Sequence, residues 1–571
     1  TRPDQRAWNK LVGMAKLLAT LLFCTLAWGA DPDWWRTAVI YEIYPRSFAD
    51  SNGDGIGDLN GITAHLDYLK ELGVDAIWIT PFYPSPQVDF GYDISNYEAV
   101  DPQYGTMADF DRLMAEATKR GIHVLNDMVL NHTSDQHPWF LQSKSSRKNA
   151  KADWYIWRSA DIKGHPPNNW QSIFGHSAWQ WSEPRKQFYY HAFYKEQPDL
   201  NFRNRAVRDA MYDTMRFWLD KGVAGFRLDA VPSLFEDLQL RDEPYLEGTD
   251  AYSERRISRI YTDNLPEVHE VLRELRKVTN EYPGRVLIGE TYLPNAFELA
   301  KMYGRNQDEL HLPMDMQLGF TNKLSVADFR ARLLEAETQL NGNVPLFAFD
   351  NHDNTRSVDR YGDGEHNEAI QRLLATVLLT PRDVALMYYG EELGMITSTP
   401  KRVEDVRDPI GRIGWPKEKG RDGERTPMQW NNDTNAGFGG SRRPWLPVGE
   451  NYRTVNVATE SREPDSLLNY YKRLIRLRKE NRQLREGDFV MTDESNNMVL
   501  SYIRLTQDGE AVLVALNFTP QPRTVNIDLA NHGVEGKHVK TLVASFGGAE
   551  MADLSHLTLP AFGSYVGQVQ P

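Results

Sequence analysis

The stretch Gly225-Phe226-Arg227-Leu228-Asp229-Ala230-Val231 constrains this chain more than any other. It is apolar except for one arginine and one aspartate, and an amphipathic helical run, Ala206 to Leu219, precedes it. A short, unbroken apolar run after a helix is the pattern of a parallel strand buried on both faces. Its carboxylate stands at the C-terminal end, the end that carries the chemistry in an α/β barrel. Arg227 precedes Asp229 by two residues and so shares its face of the strand. A cation there favours the ionised carboxylate at neutral pH. A buried structural ion pair would give the same pattern. Two further runs shift the balance toward a site: Val286-Leu287-Ile288-Gly289-Glu290 and Phe347-Ala348-Phe349-Asp350-Asn351-His352-Asp353 are also strand-like and end in carboxylates.

The rest of the chain supplies the repeat that such strands need. Val39 to Phe48 reads as a first strand, Asp75 to Phe82 as a second and His123 to Leu130 as a third, with helices Ile62 to Leu72 and Met107 to Arg120 between them. This β-α-β-α-β order is the signature of a parallel sheet. Residues 133–204 break the rhythm: they are rich in Trp, His, Lys, Pro and Ser and read as a small domain inserted after strand three. The repeat resumes at Gly225. Glu290 and Asp353 follow Asp229 at intervals of about two βα units of roughly 30 residues each. The charged stretch Gln239 to Asn264 fills part of the first interval as an insertion, and Leu310 to Met316 is the sixth strand within the second. Asp383 to Tyr389 is the eighth strand, followed by a long loop, Thr397 to Glu450, and a last helix, Ser466 to Glu480. From about Gly487 the period changes to two, with strands Val499 to Arg504, Ala511 to Phe518, Arg523 to Leu529 and Val539 to Val543. Short strands with polar turns and no helices predict a β-sandwich. The expected fold is α/β: a (β/α)8 barrel over 31–132 and 205–486, an inserted domain over 133–204, and a C-terminal antiparallel β-sandwich over 487–571.

The chain has 571 residues and a net charge of −14, which argues against nucleic acid as a partner. Residues 1–30 read as a signal peptide with upstream residues: Lys16, an apolar run from Leu17 to Leu26, then small residues at the −3 and −1 positions of a cleavage site in Ala27-Trp28-Gly29. The run is too short to span a membrane. The only cysteine, Cys24, lies inside it, so a mature chain would hold no disulfide and no cysteine nucleophile. An exported protein, periplasmic or secreted and free of the membrane once the leader is removed, is the expectation.

After the first strand comes Asp50-Ser51-Asn52-Gly53-Asp54-Gly55-Ile56-Gly57-Asp58. Oxygen side chains at alternate positions around glycine resemble the first half of an EF-hand loop, although Gly61 stands where its twelfth-position glutamate would be. Asp50, Asn52, Asp54 and Asp58 would supply side chains and Ile56 its carbonyl to one structural ion, Ca2+ or Mg2+. A polar turn is the plain alternative.

Three strand-end carboxylates converging over one barrel mouth can run a retaining glycosidase, with a nucleophile and an acid/base about 5–5.5 Å apart. Arg227 suits Asp229 to the first role. The apolar run before Glu290 raises its pKa, as an acid needs. Asp353, beside His352, is placed to bind hydroxyls.

These stretches resemble the α-amylase superfamily, family 13 of the glycoside hydrolases, over about residues 34–571. Four strand-end motifs carry the resemblance: Asp127-Met128-Val129-Leu130-Asn131-His132, Gly225-Phe226-Arg227-Leu228-Asp229, Gly289-Glu290 and Asn351-His352-Asp353. The resemblance implies Asp229 as nucleophile, Glu290 as acid/base and Asp353 as transition-state stabiliser. It implies sugar contacts from Asp93, His132, Arg227 and His352, with Tyr92 stacking, while Asp127 and Asn131 hold loops. Gln197-Pro198-Asp199-Leu200-Asn201 and Arg421-Asp422-Gly423-Glu424-Arg425-Thr426-Pro427-Met428-Gln429-Trp430 are similar to the oligo-1,6-glucosidase and α-glucosidase branch. That likeness implies that one arginine, Arg421 or Arg425, reaches the same glucose, and that Phe174 and Phe193 line the pocket. In that branch valine after the nucleophile goes with α-1,6 cleavage, and alanine, as at Ala230, with α-1,4. The activity implied is a retaining exo-α-glucosidase acting on a small oligosaccharide. The rivals are a transglucosidase or sucrose isomerase of the same branch, whose Arg-Leu-Asp-Arg-Asp loop motif is absent here, and a non-catalytic transporter-subunit homologue.

Overall fold

Eight short parallel strands close on themselves in the computed structural model, which describes residues 31–440, 442–547 and 550–570. They are β1 (Val39–Ile43), β2 (Ala76–Ile79), β3 (His123–Val129), β4 (Gly225–Asp229), β5 (Val286–Gly289), β6 (Leu312–Asp315), β7 (Leu346–Ala348) and β8 (Val384–Tyr388). β1 completes the ring, pairing Ile40 with Ala76 of β2 and Val39 with Ala385 of β8. Every residue of β4, β5, β6 and β8 is buried, which is why these strands read as apolar runs without alternation. The leader expected over 1–30, with Cys24, lies outside the described residues.

Each strand is set by the helix that feeds it. The helix Arg205–Asp220 is capped by Asn204, whose side chain accepts from the Ala206 N–H. Its buried residues Val207, Met211, Met215 and Trp218 fall at helical spacing and turn one face to the barrel. The chain then enters β4 at Gly225, with φ 142°. A Cβ there would lie 1.9 Å from the Val286 carbonyl oxygen, so only glycine lets β4 and β5 approach this closely.

Between β3 and the helix Arg205–Asp220 the chain forms a separate antiparallel sheet, ordered Trp157–Arg158, Gln187–Tyr190, Trp179–Ser182, around its own aromatic cluster of Trp170, Trp179 and Tyr190. Beyond 487 a six-stranded antiparallel sheet packs its apolar face against a two-stranded ribbon, Arg523–Val525 with Leu557–Leu559. The expected strand Arg523 to Leu529 is therefore shorter than its sequence suggests: Ile527 and Leu529 fill the core as irregular chain. This unit is bolted to the barrel by Arg504, which is fully buried and donates to the carbonyls of Thr380 (2.9 Å) and Pro381 (2.7 Å).

Candidate active site

The register of β3 and β4 sets Asp127 directly opposite Arg227. Arg227 is 1% exposed, and its guanidinium lies 4.8 Å over the Trp78 ring. One nitrogen reaches Asp229 at 2.6 Å and both Asp127 oxygens at 3.2 Å; the other reaches Glu290 at 2.7 Å. One cation thus serves three buried carboxylates. Asp127 is fixed further by the Trp78 Nε1–H and the Tyr92 hydroxyl, both 3.1 Å from Oδ2. The second Glu290 oxygen accepts the Ala230 N–H at 2.9 Å. That amide is available because Ala230 holds a left-handed conformation, φ 46° and ψ 42°, uncommon for a residue with a Cβ.

The count of charges decides which carboxylates hold protons. Burial pushes Asp229 and Glu290 each up to about 7, with Arg227 opposing it in both. Burial, reinforced by the Asp127 carboxylate, keeps Asp229 above the usual carboxylate range, while Arg227 favours its ionised form as expected. Glu290 moves in the direction its apolar approach strand predicts. Asp353 is the opposite case. Burial raises it, but His352, Arg421 and Arg425 outweigh burial and hold it well below the usual carboxylate range. Arg421 Nη1 and Arg425 Nη2 reach the same Asp353 oxygen at 2.9 and 2.8 Å.

A cavity of about 640 Å3 opens above this cluster. Asp229, Glu290 and Asp353 line its floor region with Tyr92, His132, Phe174 and Phe193. His132 is buried and pushed down to about 3, hence neutral. Tyr92 stacks on His352, with centroids 5.3 Å apart and planes 7° apart. His352 itself stands behind Tyr92, fully buried, with Nδ1 2.6 Å from Glu42 and Nε2 3.3 Å from Asp353. Arg227 likewise supports the floor from below the cavity lining.

Asp93 is a third expected sugar contact, after His352 and Arg227, that lies outside the cavity lining. Asp93 has no exposed surface: it accepts from Ser85 Oγ (2.8 Å) and from the backbone N–H of Val88 (2.9 Å) and Asp89 (3.0 Å), so it holds the loop. Asp89 lines the cavity in its place. The left-handed pair Phe90 (φ 47°) and Gly91 (φ 115°) turns the chain between them and separates the two carboxylates. Between the two candidate arginines, Arg421 is the one that lines the cavity. Arg425 is fully buried and donates to the His352 carbonyl at 2.7 Å. Arg421 joins Asp89 (2.7 Å), Asp408 (2.8 Å) and Asp353 (2.9 Å), bridging loop 85–93 to loop 397–450. Gln197 buttresses that bridge, donating to Asp89 at 3.1 Å and lying 3.0 Å from His132.

The catalytic-domain model of α-amylases matches residues 42–487, and the C-terminal domain model of maltogenic amylases matches 489–566. The chain belongs to the α-amylase family. Within that family it is 41% identical to a probable α-glucosidase of Rhizobium meliloti, over 94% of this chain and 97% of that protein. It is 39% identical to the oligo-1,6-glucosidase of Parageobacillus thermoglucosidasius, over 92% and 97%. Among solved structures, the trehalulose synthase of Pseudomonas mesoacidophila MX-45 superposes with a TM-score of 0.85 at 37% identity, over 95% of this chain and all of the other. The α-amylase motifs account for the floor of the site. They do not account for Tyr252, Arg259, Thr262 and Asp263, which line the cavity from the 239–264 insertion. No spacing marks these residues in the sequence, because a hairpin, Tyr245–Thr249 with Arg255–Ile257, folds the insertion back over the site.

The oxygen-rich loop lies away from the cavity lining. Asp50, Asn52 and Asp54 each accept the N–H two residues on, at 3.2, 2.9 and 2.8 Å, winding the loop. Asp58 accepts from Ser51 and caps the helix Leu59–Ala64 through the Gly61 N–H. Among the described residues no group of three or more His, Cys, Asp or Glu side chains is arranged so that it could hold a metal ion. Any ion here would rely on Asn52 and the Ile56 carbonyl as well.

Proposed function

We propose that this chain is a retaining, exo-acting α-glucosidase that releases α-glucose from the non-reducing end of maltose, malto-oligosaccharides and sucrose. The observation that carries the reading is the Arg421 bridge. It ties Asp89, Asp353 and Asp408 together beside the carboxylate pair, and in this reading it closes the cavity behind one sugar ring. A closed end admits a chain terminus and excludes an internal linkage.

In this reading Asp229 attacks the anomeric carbon as the bond to the leaving group breaks, and Glu290 gives its proton to the departing oxygen. Water then loses a proton to Glu290 and attacks the sugar–Asp229 ester, restoring both groups. Asp229 and Glu290 each contact the Arg227 guanidinium, at 2.6 and 2.7 Å, which keeps them near one another and supports a retaining pair. With both near 7 and mutually repelling, the pair holds one proton over a range about neutrality, the state in which one is an acid and the other a nucleophile. Asp353, kept anionic, meets the hydroxyls of the ring as positive charge develops. The likeness to a trehalulose synthase favours transfer to a sugar acceptor as the second reading. Product analysis on sucrose distinguishes them: glucose and fructose for hydrolysis, a disaccharide isomer for transfer.

Linkage preference centres on Ala230. A valine is stiff at χ1 and bulky beside the scissile bond, whereas alanine leaves room for an α-1,4-linked or sucrose-like leaving group. Maltose or sucrose should therefore be cleaved faster than isomaltose. Ala230→Val should move the kcat/KM ratio toward isomaltose by about 1–3 kcal/mol, the value of a pocket methylene. Because Ala230 is left-handed, the variant should also melt earlier, at a cost of about 1–3 kcal/mol. A native preference for isomaltose, or an unmoved ratio, would take specificity away from this position.

We also propose that the loop 50–58 holds one Ca2+ or Mg2+ through Asp50, Asn52, Asp54, Asp58 and the Ile56 carbonyl. The donor set fits a hard cation: all oxygens, with the Ile56 carbonyl and the Asp54 Oδ2 accepting no hydrogen bond among the described residues. The role is structural, since the loop supplies nothing to the cavity. Chelation should lower the melting temperature more than it lowers the room-temperature rate. Asp54→Ala curves that match the native ones with and without added calcium would dismiss the ion.

A further inference from the structure

The segment that returns from the exposed hairpin is tethered at three points. Glu243, 1% exposed, accepts the N–H of Ile260 (2.9 Å) and Tyr261 (2.8 Å) and the Thr262 hydroxyl (3.1 Å). Arg259 spends its guanidinium on the carbonyls of Gln171 (3.0 Å) and Ser172 (2.8 Å) in the inserted domain. The Asn264 N–H donates to the Pro232 carbonyl at 2.8 Å.

The third tether decides where Asp263 stands. Pro232 belongs to the turn that leaves Asp229, and Pro232 and Ser233 line the cavity with Thr262 and Asp263. The groups assigned above to the first glucose, Asp89, Asp353 and Arg421, come from other loops. Asp263 thus stands on the wall next to Ala230, where the leaving group must lie if Ala230 borders the scissile bond. Among the described residues no side chain hydrogen-bonds or ion-pairs with its carboxylate: the Asn264 backbone N–H interacts with it, and Arg259, whose charge favours its ionised form, gives its guanidinium N–H groups to carbonyls. A carboxylate accepts hydrogen bonds and donates none when ionised. A sugar leaving group or acceptor offers several hydroxyl donors, and an aryl group offers none.

We propose that Asp263 is a leaving-group-binding residue that recognises hydroxyls of the departing or accepting sugar, so that the 239–264 insertion builds the half of the site selective for polyhydroxy aglycones. This rests on the α-glucosidase reading. Burial pushes Asp263 up to about 6, which leaves it ionised and accepting at neutral pH and above.

The experiment compares kcat/KM on maltose and on p-nitrophenyl α-glucoside for the native enzyme, Asp263→Asn and Asp263→Ala. Loss of a charged acceptor should cost maltose about tenfold or more in Asp263→Ala, with the aryl glucoside within about twofold of native, since it makes no such bond. Equal losses on both substrates, or no loss on either, overturn the proposal. The first arm of a second measurement needs no variant to fold. On the native enzyme, maltose analogues lacking single hydroxyls of the reducing glucose should include at least one that is about tenfold slower. That penalty should vanish in Asp263→Ala. A native enzyme indifferent to every deletion overturns the assignment. A native enzyme inactive on both maltose and the aryl glucoside strikes the α-glucosidase reading itself, which keeps the two failures apart.

Discussion

Asp229→Ala and Glu290→Gln should each abolish maltose turnover without loosening the fold. Without Asp229 no carboxylate attacks the anomeric carbon, and no glycosyl-enzyme ester forms. Without the Glu290 proton the leaving oxygen departs as an alkoxide, which costs the general-acid contribution of about 10²–10⁴-fold. The fold should tolerate both changes for a reason visible in the charge count. Asp127, Asp229 and Glu290 are three buried carboxylates around one guanidinium, so deleting one anion relieves repulsion and leaves no cation unpaired. Melting temperatures equal to or above native are expected. Azide supplies the sharper test. In Glu290→Ala, with Asp229 intact, azide should restore turnover of a substrate with a good leaving group and not of maltose. Such a group leaves without a proton, and azide then attacks the ester without a base. Near-normal maltose hydrolysis by Asp229→Ala would remove the mechanism.

The architecture was legible where burial leaves a periodic trace. β4, β5, β6 and β8 are covered on both faces, and their apolar runs announce them. The strand-end carboxylates were legible for the same reason, since a polar residue closing an apolar run has one place to go. Side chains on loops were not, because turn geometry, which no periodicity records, aims them. Asp89 and Asp93 are four residues apart in one motif, and only the left-handed turn at Phe90 and Gly91 sends the first to the cavity and the second into the loop. Arg421 and Arg425 divide in the same way, one lining the cavity and one buried against His352. The upward shift of Asp229 was not legible, because sequence displays neighbours along a strand, Arg227 among them, but neither the depth of burial nor Asp127 across the sheet. The closing strand Ser564–Gln570 of the C-terminal sheet was missed, although it lies at the centre of its sheet.

Removing that shared cation should be the most damaging single change outside the carboxylates themselves. Arg227→Met takes away the group that opposes burial in both Asp229 and Glu290 and leaves three carboxylates with no cation in contact. Breaking a buried ion pair from one side costs about 3–5 kcal/mol, and here the cost must depend on pH. A carboxylate whose folded pKa lies above its unfolded value of about 4 lends its full stability below that value and loses it as pH rises through the folded pKa. For native Asp229 and Glu290 the loss runs up to about 7 and then stops. In Arg227→Met both folded values rise further, so the loss continues above 7. The melting temperature of the variant should therefore trail the native one modestly at pH 5, where the cluster is protonated in both, and much more at pH 8. Activity should fall with it at every pH, because Glu290 loses the guanidinium that orients one of its oxygens. A gap in melting temperature that is the same at pH 5 and pH 8 would mean that Arg227 acts by packing on Trp78 and not by balancing the charge beneath the cavity.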